Sequence, residues 1–343
     1  MILRPRLCLC VVLSLLCGLA ISGQETKPAA SGMVQLDVVV TPKSGVPVAG
    51  LQEKDFKVLD NKVERPIASF QAYDGTQEPV QVILLVDSVN TTITTIGYER
   101  IQIDKFLHAN DGHLAHPMTL AILSDKGTQI QQGFSSDGNA IASSLDATTI
   151  GLRTIARDTG YWGATERLNI SMKALTELAA YGQSRPGRKI ILWVSPGWPL
   201  LSGTQGQLTS QQTKQLFDQI VSMSGMLRQS RTTVYSINPL GTGESLANTF
   251  DYQNFLKGVS KANDANIGNL ALQVFATQSG GLALSSTDIA GMLEQSVGDN
   301  KAYYRISIEA APTERKDVYH RLDVQVDQPG LTARTSSGYY AEP

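Results

Sequence analysis

Residues 80–92 read VQVILLVDSVNTT. The apolar run Val82–Val86 ends at Asp87. An unbroken apolar run of this length is typical of a strand that is buried on both faces of a parallel sheet. Similar runs recur at 118–123, 190–194 and 234–237. The sequence therefore predicts at least four buried strands, with a polar loop directly after the first.

Between these runs, apolar residues recur at intervals of three and four, which predicts amphipathic helices. The four stripes comprise Ile96, Ile103, Phe106 and Leu107; Leu168, Met172, Leu175 and Ala179; Leu216, Ile220, Met223 and Leu227; and Ile267, Leu270 and Val274. Buried strands that alternate with helices favour right-handed crossovers and a doubly wound, mostly parallel α/β sheet. Residues 129–134 follow the second strand closely and predict an antiparallel edge hairpin.

Both ends of the remaining chain have a different pattern. Residues 34–78 contain alternating apolar positions that begin at Val34, and residues 300–343 contain three further strand-like runs. The first stretch is too short to bury a core alone. We therefore predict that the two stretches pack into one small antiparallel β-sandwich, with the α/β domain, residues 79–299, inserted between them.

The first residues are predicted to be a signal peptide, residues 1–23, followed by a flexible segment, residues 24–33. Arg4 and Arg6 precede an apolar run at 7–21, which is shorter than the ~20 residues of a membrane-spanning helix. This pattern predicts a protein that is secreted, periplasmic or held in the cell envelope. An uncleaved membrane anchor is the alternative.

Composition and motifs exclude several classes of function. The chain has 343 residues, of which 42% are hydrophobic and 17% charged, with a formal net charge of −2. These values argue against disorder and against nucleic-acid binding. All three cysteines precede residue 24, so a processed chain has no thiol nucleophile or thiolate metal site. The common hydrolase, zinc-protease and nucleotide-binding motifs do not occur, and we expect no enzymatic activity.

Several motifs follow one another in an order that carries a family resemblance. They are Gly50-Leu51, Asp55-Phe56, Asp87-Ser88-Val89-Asn90-Thr91, Gly187-Arg188-Lys189, Ser195-Pro196-Gly197-Trp198-Pro199 and Gly338-Tyr339-Tyr340. The loop after the first buried strand resembles that of von Willebrand factor type A domains. The whole series resembles the VWFA-related family of secreted acidobacterial proteins.

The resemblance implies a metal-ion-dependent adhesion site that holds Mg²⁺ or Mn²⁺ and is completed by a carboxylate of the partner protein. Carried over to this chain, the metal ligands are Asp87, Thr91 and Thr165, and Ser195 stands where the family has an aspartate. Val89 replaces a serine and offers no oxygen. The alternative is that the polar side chains of residues 87–91 bond the loop backbone and cap the next helix.

The resemblance also implies a protein or peptide partner at the carboxyl end of the sheet, where open α/β folds bind ligands. The predicted partner-binding residues are Asp87, Asn90, Thr91, Thr165, Ser195, Trp162 and Trp198. We place both tryptophans on loops around the crevice, as anchors; the alternative is that one or both cover the rim of the core. The predicted function is a non-catalytic recognition or adhesion module with a degenerate metal site. An envelope hydrolase that uses the same crevice and a structural envelope subunit are the alternatives.

Overall fold

The computed structural model describes residues 32–43, 45–74, 77–148, 160–199, 209–240, 259–312 and 316–341. The predicted signal peptide and residues 24–31 of the predicted flexible segment therefore lie outside the described residues, whereas Met33, the last residue of that segment, begins a strand. The central sheet contains β5 (Val80–Asp87), β6 (His113–Ser124), β7 (Gly127–Ile130), β8 (Ser135–Asp137), β9 (Arg188–Val194), β10 (Thr232–Asn238) and β11 (Ala283–Ser285). No helix within those ranges is long and apolar enough to cross a membrane.

The strands of this sheet lie in the order β11-β10-β9-β5-β6-β7, and β8 also pairs with β6. Pairing is parallel except for β7 and β8, which are antiparallel to β6. The predicted mostly parallel sheet is thus confirmed, and an antiparallel hairpin is present, but its strand is Gly127–Ile130 rather than residues 129–134. Along the chain, β6 and β7 are added on one side of β5, and β9, β10 and β11 are then added on its other side. The strand order therefore reverses between β5 and β9, where such sheets place their ligand crevice.

Helices cover both faces of the central sheet. They are α1 (Ile93–Leu107), α2 (Gly138–Ala147), α3 (Gly160–Gln183), α4 (Ser210–Gln229), α5 (Leu272–Gln278) and α6 (Ile289–Gly298). One hydrophobic cluster packs α3, α4 and α5 on one face, and another packs α1, α2 and α6 on the other. The predicted fourth helical stripe is divided, because Ala271 adopts an extended conformation between a 3-10 turn at Ile267–Leu270 and α5.

The two ends of the chain pair with each other in two further sheets. Their strands are β1 (Met33–Pro42), β2 (Phe56–Asp60), β3 (Val63–Arg65), β4 (Ile67–Tyr73), β12 (Tyr303–Glu309), β13 (Tyr319–Val326), β14 (Leu331–Arg334) and β15 (Gly338–Tyr340). One antiparallel sheet has the order β14-β1-β12-β4 and the other β15-β13-β2-β3. Side chains from both sheets share one hydrophobic cluster, which gives the N-terminal strands the core that they lack alone.

A buried group of charges joins β1 and β12 to the amino-terminal edge of the central sheet. We call Asp37, Glu78, Arg231 and Arg305 the junction cluster. Arg231 donates to both Asp37 oxygens at 3.1 and 3.0 Å and to both Glu78 oxygens at 2.6 and 2.9 Å. Arg305 also donates to Glu78. These bonds tie elements that are distant in sequence into one unit.

Candidate functional site

Asp87 ends β5 at the carboxyl edge of the sheet, and four protein donors surround its buried carboxylate. One oxygen accepts from the backbone N–H groups of Val89 and Asn90, at 2.9 and 3.0 Å. The other accepts from the Asn90 amide at 2.7 Å and from the Trp193 indole N–H at 2.9 Å. Both oxygens are thus already satisfied by neighbouring protein groups.

Trp193 and Ser171 belong to this centre, although sequence reasoning did not select them. Trp193 lies opposite Leu85 in the β5–β9 ladder, so its side chain shares a face with Asp87, two residues further on. The Asn90 amide also donates to the Ser171 hydroxyl of α3, at 2.9 Å. A buried serine in the apolar stripe of α3 was the available signal for this contact. We call Asp87, Asn90, Ser171 and Trp193 the carboxyl-edge centre.

Glu99, on the first turns of α1, is a second buried acid beside this centre. Its side chain is fully buried, and the Thr91 hydroxyl donates to it at 3.4 Å. Burial raises the pKa of the Glu99 carboxyl to about 9, and the charge of Asp87 contributes to that rise. Burial also raises the pKa of Asp87, against the hydrogen bonds from Asn90 and Trp193. Glu99 is therefore protonated at neutral pH.

Replacing Glu99 by Gln is expected to stabilise the protein at neutral and alkaline pH. The folded pKa of about 9 exceeds the ordinary value of 4.5, so wild-type stability is lost as the pH rises from 4.5 towards 9. Gln keeps the shape and the acceptor oxygen but does not ionise. Urea unfolding should show a gain of about 1 to 3 kcal/mol at pH 8 and almost none at pH 4.

The control for that experiment is Glu177→Gln, at a half-exposed position on α3. Its unfolding free energy should differ little from wild type at either pH. An equal gain for Glu99→Gln at pH 4 and pH 8 would mean that Glu99 is not held protonated by the fold.

Two of the predicted site residues lie in helix α3 rather than in a loop. Thr165 was expected ahead of a helix, but it lies inside α3, where its hydroxyl donates to the Tyr161 carbonyl at 2.9 Å. Trp162, expected in the preceding loop, lies in the first turn of the same helix. The loop position of both residues is thereby corrected, because α3 begins at Gly160.

Ser195 and Trp198, which follow β9, are buried. The Ser195 hydroxyl accepts from the Gly197 N–H at 2.9 Å, and the Ser195 N–H donates to the Ile237 carbonyl at 3.0 Å. Trp198 is only 3% exposed and packs edge-on against Trp193, with ring centroids 5.2 Å apart. The predicted rim position of Trp198 is corrected, because its ring completes the core under the crevice.

The loop after β5 follows the self-bonded interpretation of the sequence, except that the helix cap lies outside residues 87–91. Thr92 caps α1 by accepting from the Thr95 N–H. The cap was predicted within residues 87–91, so the capping residue is the one that directly follows that loop. Val89 is fully buried in the core. The self-bonded loop predicted as the alternative to a metal site is the arrangement that Asp87 and Asn90 adopt.

The arrangement around Asp87 does not fit Mg²⁺ or Mn²⁺. These ions take oxygen ligands, whereas amide and indole N–H groups point at the Asp87 oxygens. The hydroxyls of Thr165 and Thr91 are bonded to the helix backbone and to Glu99. Within the described ranges, no group of three or more His, Cys, Asp or Glu residues is placed to hold a metal ion.

The exposed part of this region is the start of α3. Ser171 is level with Asn90 at the sheet edge, and Trp162 comes nine residues earlier. At 1.5 Å per residue, Trp162 lies roughly 14 Å further along the helix axis, beyond the sheet. Its side chain is 77% exposed, and the ring of Tyr161, itself 43% exposed, meets it edge-on at 5.5 Å. We call Tyr161 and Trp162 the α3 tip.

No protein-family model and no curated protein matches the sequence. Among solved structures, the chain is similar to proximal thread matrix protein 1 from the mussel byssus, at 12% identity and a TM-score of 0.38, covering 70% of this chain and 51% of that one. It is also similar to a point mutant of the PilB minor pilin from Streptococcus sanguinis, at 12% identity and a TM-score of 0.32, covering 66% and 61%.

A third similar structure is a von Willebrand factor type A protein from Catenulispora acidiphila, at 11% identity and a TM-score of 0.28, covering 91% of this chain and 74% of that one. The chain spans less than two thirds of the length of the mussel and streptococcal chains. At these scores the likenesses decide neither family nor function. The class of protein is therefore defined by the fold itself, a doubly wound α/β sheet joined to two antiparallel sheets.

Proposed function

We propose that the protein is an exported, non-catalytic recognition module that binds a protein or peptide partner at the carboxyl edge of its central sheet, without a metal ion. The α3 tip is the anchor, and the carboxyl-edge centre is the rigid base beneath it. We further propose membership of the VWFA-related secreted family, with the α/β domain inserted in a sandwich formed by the two antiparallel sheets.

The observation that carries this proposal is the exposure of Trp162. The indole of Trp162, in the first turn of α3, is 77% exposed, and apart from its contact with Tyr161 the described residues leave a large apolar area of it uncovered. Tryptophan is enriched among the residues that dominate protein–protein binding energies. Because Trp162 is fixed by a helix of 24 residues, binding costs little backbone ordering.

The carboxyl-edge centre supports recognition rather than catalysis. Asp87 and Glu99 are both fully buried, so neither carboxyl is placed to touch a substrate. The bonds that hold Asp87 link β5, β9 and α3 through Trp193, Asn90 and Ser171. We infer that they hold the base of α3 and so set the direction in which Trp162 projects.

Replacing Trp162 by Ala is expected to weaken partner binding about 30-fold or more, since a central tryptophan contributes at least about 2 kcal/mol. The full chain would be immobilised and exposed to envelope proteins of its source organism, and the retained protein would be titrated. Ile101→Ala is the matched control, because Ile101 is 66% exposed but lies on α1. The control should bind as wild type does.

The same titration with and without chelator tests the metal-free mechanism, and equal affinity in both is expected. Unchanged binding by Trp162→Ala would remove the α3 tip as the anchor. Loss of binding in chelator would contradict metal-independent recognition, whatever the tryptophan variant does.

A further inference from the structure

A cavity lies at the opposite edge of the central sheet from Asp87. It encloses about 210 Å³ between the end of α1, the start of β6 and the end of α6. Phe106, Val82 and Met118 form an apolar floor, and His116 and Lys301 also line it. We call it the amino-edge cavity. None of these residues belongs to the carboxyl-edge centre.

The cavity exists because the first residues of β6 extend beyond the start of β5, the strand next to it in the sheet. β6 starts at His113, but its pairing with β5 begins only at Met118, which leaves a notch at the sheet edge. The chain enters this notch through Asn110 and Asp111, with φ values of 51° and 56°. Two successive non-glycine residues in the left-handed region are costly and are often found at functional sites.

His116 is the central polar group of the cavity. It lies on the same face of β6 as Leu114 and Met118 and is only 9% exposed. Its imidazole makes no hydrogen bond to another described residue, and its ring nitrogens are not among the fully buried polar atoms that lack a partner, so they are accessible from the cavity. Burial lowers the pKa of His116, and the nearby Arg188 charge lowers it further. A neutral imidazole offers one N–H donor and one acceptor to whatever enters the cavity.

The charges around the cavity favour an anion at its mouth. Lys301 is exposed and forms no ion pair within the described ranges, whereas the buried Arg188, whose charge reaches His116, lies 3.9 Å from Asp37. Among the described residues that line the cavity, Glu294 is the one acid, and it is exposed on α6. An apolar floor with a buried N–H donor and an ammonium group at the rim matches a small molecule with one carboxylate.

We propose that the amino-edge cavity is a binding site for a small carboxylic acid with an aromatic or branched aliphatic body. The apolar body packs on Phe106, Val82 and Met118, and the carboxylate accepts hydrogen bonds from His116 and Lys301. The volume agrees with this size, because a cavity of about 150 Å³ is enough to hold benzene. The site is independent of the α3 tip.

Phenylacetate is the probe, and 2-phenylacetamide is its uncharged control. Titration of the full chain, followed by the imidazole NMR signals and by calorimetry, should show saturable binding of phenylacetate with a shift of the His116 signals. Phenylacetamide should bind at least about tenfold more weakly, since a hydrogen bond to a charged group is stronger than one to a neutral group.

Gly298 allows the cavity to be filled without disturbing the fold. It lines the cavity, and a Cβ atom built on it meets nothing within 4 Å. Gly298→Leu should abolish phenylacetate binding and keep or raise the melting temperature, because it adds apolar volume to an open space. Gly298→Ala, the matched small substitution, should keep binding.

Lys301→Gln should weaken phenylacetate binding about tenfold and leave phenylacetamide binding unchanged. Lys214→Gln is the control, since Lys214 is an exposed lysine on α4, across the sheet. The proposal is overturned if phenylacetate does not bind saturably, or if Gly298→Leu binds it as wild type does. Equal affinity of wild type for the acid and the amide would overturn the assignment of an anionic ligand.

Discussion

Glu78→Gln is expected to lower the free energy of unfolding by about 3 to 5 kcal/mol at pH 7, the usual cost of breaking a buried ion pair from one side. The side chains of Glu78 and Arg305 are 8% and 5% exposed, and that of Arg231 is 16% exposed. Removing one negative charge leaves the two guanidinium groups with Asp37 as their remaining acidic partner in the junction cluster. Equilibrium unfolding in urea measures the loss.

The loss should depend on pH in a defined direction. Burial raises the pKa of Glu78, but hydrogen bonds from Arg231 and Arg305 lower it more, to about 2 from an ordinary 4.5. The contribution of Glu78 is therefore complete above pH 4.5 and is lost as the pH falls towards 2. The difference between wild type and Glu78→Gln should narrow over that interval.

Asp327→Asn serves as the control on an exposed ion pair. Asp327 pairs with Lys57 at 3.4 Å, and the two side chains are 70% and 47% exposed. Its unfolding free energy should stay within about 0.5 kcal/mol of wild type. If Glu78→Gln changed the free energy of unfolding as little as Asp327→Asn does, the junction cluster would not hold the antiparallel sheets to the central sheet.

Asp87→Ala is expected to destabilise the protein by about 3 to 5 kcal/mol, because it removes the acceptor of four buried or half-buried donors, and each buried donor without a partner costs about 1 to 3 kcal/mol. Removing Asp87 also removes the cost of burying its carboxylate, so the total falls below the sum over the four donors. Asp146→Ala, at an exposed position on α2, is the control and should remain near wild type.

Neither wild type nor Asp87→Ala should gain stability from millimolar Mg²⁺ or Mn²⁺. A site with a Kd of about 10 µM would add about 2.7 kcal/mol at a hundredfold excess of ion. Thermal melting with each ion and with chelator measures this directly. A rise in the wild-type melting temperature that vanishes in Asp87→Ala would show a working ion site and would contradict the donor arrangement around Asp87.

The sequence by itself determined which segments form the buried strands and helices of the central sheet. The apolar runs became β5, β6, β9 and β10, because a buried strand must be apolar on both faces. The stripe that includes Ile103 became α1, because helical periodicity marks the face that packs on a sheet. These signals are local, so they are readable without knowing which elements meet.

Only the tertiary structure decided what surrounds Asp87 and what remains exposed. The indole that bonds Asp87 comes from Trp193, 106 residues away, and the amide of Asn90 bonds Ser171, 81 residues away. No local pattern specifies such partners, because they depend on how two strands and a helix pack together. The same packing buries Trp198 and leaves Trp162 in solvent, although the sequence places both equally near the crevice.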